Sequence, residues 1–180
     1  MKKLIFTILT TALLTIANNA QAVVFLWNNT GSQWTSGTSW TNGVQPSSTS
    51  SSTTTDEVQF GNYGTSNNTV DLTSSRSVKN FTFLTNANAY TITTSSAKVL
   101  TTSAGITNNS TAIQTFNLAV ENANASNTWF QTAGGSMIFN NLATLTTAAS
   151  STSRTLTLAG GGIFTFNNSL NQGGLATAGK

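Results

Sequence analysis

The chain has no cysteine, no histidine, a single proline and very little charge. Each absence closes a class of chemistry. Without cysteine there is no thiol nucleophile, no disulfide and no thiolate metal site. Without histidine no imidazole can act as a general base or bind zinc. Charged residues make up 6% of the 180 residues, against a usual share of about 25%. Acid–base chemistry would fall to four carboxylates, Asp56, Glu57, Asp71 and Glu121. A disulfide scaffold and a zinc enzyme are therefore excluded.

Serine, threonine and asparagine fill the space that charge leaves. With a net charge of +3, ten phenylalanines and four tryptophans, the chain does not read as charged disorder, which carries high net charge and few aromatics. Thr, Val, Ile, Phe and Trp favour strands, and Asn and Gly favour turns. The composition predicts one all-β domain whose outer faces are neutral and polar.

Residues 1–22 read as a secretory signal peptide. Met1-Lys2-Lys3 is a positive start, residues 4–16 are apolar apart from threonine, and Ala20-Gln21-Ala22 is a small-residue cleavage site. The apolar run is too short for a hydrocarbon core of about 30 Å. The mature chain is then predicted to be exported, without an integral membrane segment. Loss of Lys2 and Lys3 leaves it nearly neutral. That removes the electrostatic case for nucleic acid or an anionic membrane as partner.

In the mature chain, residues 23–64 read as an aromatic N-terminal cap segment. It contains Trp27, Trp34, Trp40 and Pro46 and a Ser/Thr-rich loop at 47–55. From Thr69 onward short apolar pulses recur: Val70 and Leu72; Phe81 and Phe83; Tyr90 and Ile92; Phe116, Leu118 and Val120; Phe164 and Phe166. Many alternate with period two, as half-buried strands do. Asn42-Gly43 is the one Asn-Gly hairpin signal, whereas an antiparallel meander calls for several. Short strands stacked on like strands fit better. Residues 65–180 are therefore read as a short, truncated parallel β-solenoid. A three-faced coil of about 20–25 residues per turn gives roughly five rungs after Thr69. A β-sandwich is the alternative. No strict internal repeat is evident.

The spacing W-x6-W-x5-W-x5-P over Trp27, Trp34, Trp40 and Pro46, followed by Val58-Gln59-Phe60-Gly61, resembles the opening signature of bacterial proteins with autotransporter-associated β-strand repeats. Thr69-Val70-Asp71-Leu72 with Ser77-Val78-Lys79-Asn80-Phe81-Thr82-Phe83 resembles the family's next step, and Tyr90-Thr91-Ile92 the strand after it. Thr155-Leu156-Thr157-Leu158 with Gly160-Gly161-Gly162 and Phe164-Thr165-Phe166 resembles its repeat core. The resemblance implies a right-handed parallel β-helix, exported and displayed at the outer membrane or outside a Gram-negative-type cell. Members of that family are longer, and many end in a β-barrel translocator. No run of barrel-like strands with aromatic girdles follows here.

Trp27, Trp34 and Trp40 suit either of two tasks. They can plug the N-terminal end of a solenoid, because exposed edges need cover, or offer flat faces to a sugar. The plug is the favoured reading. The carboxylates read as solvated charges, and Arg76, Lys79, Lys98 and Arg154 are too scattered to build a lyase site. No Asp-rich calcium loop occurs. Gly160-Gly161-Gly162 has no following lysine and reads as a turn rather than a phosphate loop. No catalytic residue, cofactor or metal site is assigned. The expected function is non-enzymatic: a secreted or cell-surface structural and adhesive solenoid, passenger-like, with surface polysaccharide or other β-solenoid chains as partners. A carbohydrate-binding module using the three tryptophans is the alternative.

Overall fold

The computed structural model describes residues 22–46, 55–63, 67–123, 126–141, 143–144 and 155–171. The signal peptide expected at 1–22 and the loop at 47–55 lie outside these residues, apart from Ala22 and Thr55. Among the described residues no helix is long and apolar enough to cross a membrane.

The described strands are β1 (Val24–Trp27), β2 (Glu57–Phe60), β3 (Thr69–Asp71), β4 (Arg76–Phe83), β5 (Thr91–Thr93), β6 (Val99–Asn108), β7 (Ile113–Phe116), β8 (Ala119–Asn122), β9 (Ser126–Gln131), β10 (Ser136–Phe139), β11 (Ala143–Thr144), β12 (Thr155–Gly160), β13 (Ile163–Phe166) and β14 (Leu170–Asn171). Each pairs in parallel with its counterpart on the neighbouring coil. The result is a β-solenoid of about 4 turns. The β-sandwich alternative fails on this pairing, since a sandwich is built from antiparallel ladders.

Three faces run the length of the coil. The first stacks β1, β2, the second half of β4, the second half of β6, β9 and β12. The second is a five-stranded sheet of β3, β5, β7, β10 and β13. The third stacks the first halves of β4 and β6 on β8, β11 and β14. The first face starts at Val24, so residues 23–64 supply two rungs of the solenoid as well as its cap.

Two long strands turn a corner without a loop. In β6 the register shifts between the half that pairs with β8 and the half that pairs with β9. Gly105 makes the bend with φ +150. A Cβ there would meet the Thr128 carbonyl oxygen at 2.0 Å, so only glycine allows the coils to approach this closely. Gly160, with φ +97, ends β12 against the backbone of Gln131 in the same way.

The core is built from columns of register partners. Val58, Phe81, Ile106 and Trp129 form one column on the first face, and Val70, Ile92, Phe116 and Phe139 another on the second. All eight are fully buried, and burial of each side chain of this size stabilises by about 1.5–3 kcal/mol. The Phe116 and Phe139 rings stack at 4.8 Å with 7° between planes, and Phe139 and Phe166 follow at 5.1 Å and 11°. Those distances match the rung repeat of about 4.8 Å, so one residue type repeated in register becomes a continuous ring column.

The corner between the first and second faces is polar inside. Below Trp27, Phe60 and Phe83, the same column continues as Asn108 and Gln131. Asn108 Nδ2 donates to Gln131 Oε1 at 3.0 Å. Ser110 Oγ donates to Asn108 Oδ1 at 2.8 Å, and Gln114 Nε2 donates to Ser110 Oγ at 3.1 Å. The Tyr90 backbone N–H closes the network on Gln114 Oε1 at 2.9 Å. Paired in this way, buried amides fix the register of successive coils instead of weakening the core.

Candidate functional site

Ser32 and Trp34 place the first coil on the second face. Gln33 bridges Asp71 in parallel, and the Trp34 N–H donates to the Asp71 carbonyl at 3.0 Å. The chain then folds back across β1. The Asn28 N–H donates to the Ser39 carbonyl at 3.0 Å, and the Thr41 N–H donates to the Leu26 carbonyl at 2.9 Å. Trp40 thereby pairs antiparallel with Trp27, and the outer edge of β1 is occupied. The Trp40 indole packs edge-on against Trp27 at 5.1 Å and against Trp34 at 4.9 Å. Its Nε1 donates to the Trp34 carbonyl at 2.8 Å. Trp27 and Trp34 are 0% exposed and Trp40 is 1%. The three indoles form a plug over Phe60 and Phe81 and leave no ring face free to stack on a sugar.

Three of the four carboxylates, Glu57, Asp71 and Glu121, stand on different faces, and Asp56 immediately precedes Glu57 in the chain. Glu57 on the first face lies 3.2 Å from Lys79 Nζ and accepts from Asn80 Nδ2 at 3.0 Å. On the second face, Asp71 Oδ1 accepts the Ser95 N–H at 3.1 Å. Glu121 stands on the third face, where burial pushes its carboxyl above the usual carboxylate range. Among the described residues no group of three His, Cys, Asp or Glu side chains could hold a metal ion.

Among the described residues, one cation is inside. Arg76 is 2% exposed, and its Nε and Nη1 have no hydrogen-bond partner. Its register partners Leu100 and Val120 point into the core, so the guanidinium points there too. Burial lowers its pKa below the ordinary arginine value.

The outside of the second face carries the most regular arrangement. Thr69, Thr91 and Thr115 are register partners in one row, which continues through Ile138 to Thr165. Beside that row, at the turns toward the third face, lies an asparagine ladder. Asn140 Nδ2 donates to Asn117 Oδ1 at 2.7 Å, and Asn167 Nδ2 donates to Asn140 Oδ1 at 2.7 Å. Asn141 Nδ2 donates to the Asn117 carbonyl at 2.9 Å. The turns are thus clipped together by side-chain amides, one per rung.

These turns differ in length. Between Ile92 and Leu100 the turn is twice as long as the turns from Phe116 to Val120, from Phe139 to Ala143 and from Phe166 to Leu170. The long turn is pinned by Thr94 Oγ1, which shares its one proton between the Leu72 carbonyl at 2.9 Å and the Ser96 carbonyl at 2.5 Å, and by the Val99 N–H, which donates to Ser75 Oγ at 3.2 Å. It overhangs the tight turns and leaves a notch of about 240 Å³. The notch floor is Val99, Leu118 and Ala119, its wall is Thr94, Ala97 and Lys98, and its far rim is Asn141 and Asn168.

The tryptophans stand out in the sequence, whereas the asparagine ladder and the notch do not. A signal was present: Phe116-Asn117-Leu118, Phe139-Asn140-Asn141 and Phe166-Asn167-Asn168 recur once per rung. Comparison with family models, with curated proteins and with solved structures finds no match to this chain.

Proposed function

We propose that this chain is a secreted or cell-surface structural and adhesive β-solenoid, passenger-like and non-enzymatic. It is the autotransporter-associated repeat type that the tryptophan signature resembles. The observation that carries this reading is the asparagine ladder beside the threonine row on the second face. An uncharged, rung-periodic surface suits contact by many weak bonds in parallel. Affinity of that kind grows by repetition, not from one deep pocket. Glu57, Asp71 and Glu121 stand on three different faces, and this dispersal supports a non-catalytic role. The partners proposed are surface polysaccharide and other β-solenoid chains. The proposed location is the extracellular or outer-membrane surface, reached through the signal peptide at 1–22.

The test is display. Protease shaving of intact source cells, followed by immunodetection, should remove the protein from the surface. Beads coated with residues 23–180 should adhere to whole cells or to immobilised surface polysaccharide. A protein protected inside intact cells, or inert beads, would sink the reading.

A further inference from the structure

We propose that the notch beneath the Thr94–Lys98 overhang binds a hexuronate unit of an acidic polysaccharide, an inference that rests on the adhesive reading. Three observations select this ligand. The floor of Val99, Leu118 and Ala119 is aliphatic and matches the C–H face of a pyranose ring. Asn141 and Asn168 stand at the rim with capacity to spare. Asn141 uses its Nδ2 on the Asn117 carbonyl and Asn168 uses its Oδ1 on the Ser169 N–H. That leaves Asn141 Oδ1 to accept from a sugar hydroxyl and Asn168 Nδ2 to donate to one. Lys98 lines the wall and has no ion pair among the described residues, so a carboxylate is the complementary substituent.

Size and rigidity agree. A cavity of about 240 Å³ is below the range of roughly 300–1,000 Å³ for drug-sized ligands and suits one sugar unit. The lining residues come from successive rungs, so the notch runs along the coil axis and a polymer can continue beyond it. The overhang is held by bonds to Leu72 and Ser75, and the rim by the asparagine ladder. Little ordering is then required on binding.

The test is calorimetric titration of residues 23–180 with oligogalacturonate and with its neutral methyl ester. The acid should bind, and the ester should bind about tenfold more weakly, the worth of one charge-assisted contact. Lys98→Gln should weaken the acid by the same factor and leave the ester unchanged. Ala119→Trp should fill the notch and abolish both, and an unchanged Lys98→Gln melting curve separates loss of the site from loss of the fold. Equal binding of acid and ester, native-like binding by Lys98→Gln, or no binding of oligogalacturonate would overturn the site. Absent titration with beads that still adhere would refute the notch alone. Absent titration with inert beads would refute both readings.

Discussion

Asn140 donates its side-chain amide to Asn117 Oδ1 at 2.7 Å, and one rung on it accepts the same bond from Asn167. Asn140 is therefore the middle step of a ladder that registers the three tight turns between the second and third faces. Both of its partners are asparagines, so neither can replace the missing amide with a charge.

Asn140→Asp removes the donor and places a carboxylate next to Asn117 Oδ1. The expected loss is about 1 kcal/mol for the exposed hydrogen bond. Urea denaturation should show a lower midpoint. Asn140→Ala removes both ladder bonds, the donor to Asn117 and the acceptor for Asn167, and should lower the midpoint too; an unchanged midpoint in both variants would contradict the ladder.

Trp40 closes the N-terminal end by its ring and by its backbone. Trp40→Ala should destabilise by about 3–5 kcal/mol, as for other large aromatic truncations in a core. Because the truncation uncovers the apolar end of the core, aggregation should rise with the loss of stability. Light scattering beside the melting curve reads both. A melting point within a degree of the native protein would mean that the indole is no plug.

Arg76 is a buried cation whose Nε and Nη1 lack partners. Replacement by an apolar side chain of similar length removes the cost of desolvating a charge. Arg76→Met should therefore raise stability by about 1–4 kcal/mol. Chemical denaturation of the two proteins decides it, and a destabilised Met variant would show that the guanidinium is paired in solution.

Tyr90 links three rungs. Its hydroxyl lies against Asn29 Oδ1 and 2.6 Å from the Gly61 carbonyl, and it has one proton to share between these acceptors. Burial, with a smaller contribution from nearby Tyr63, pushes its pKa from 10.0 up to about 12, although the Asn29 contact pulls it down. The folded pKa is raised, so the stabilisation is full below the unfolded value. It declines as pH rises from 10 through about 12. Tyr90→Phe should be less stable at neutral pH and should lose less between those limits. Parallel pH curves for the two proteins would contradict the assignment.

Much of the fold was legible because strands advertise themselves through alternation. Val70 and Ile92, or Phe81 and Phe83, read as inward positions from spacing alone. The shortage of hairpin signals pointed to parallel stacking, and the plug was legible from three tryptophans beside a turn-rich segment. Residues 23–27 and Val58–Phe60 also read as strands, but which coil each joins is visible only from their pairing. Arg76 stands in the sequence as one of several scattered charges, since nothing in Ser75-Arg76-Ser77 announces burial. The notch was hidden for a different reason. It arises from a difference in turn length between neighbouring rungs, which is visible only once Leu100 is set beside Val120.

The most direct measurement of the central claim is adhesion through the second face. Thr91→Val, Thr115→Val and Thr165→Val together remove the hydroxyls of the threonine row without adding charge, while leaving the inward columns intact. Surface changes of this kind alter stability by only about 0.5 kcal/mol each. Beads coated with native residues 23–180 are predicted to adhere to polysaccharide-coated surfaces, and beads with the valine variant to detach under the same flow. Equal retention of the two, with matching melting curves, would contradict the account.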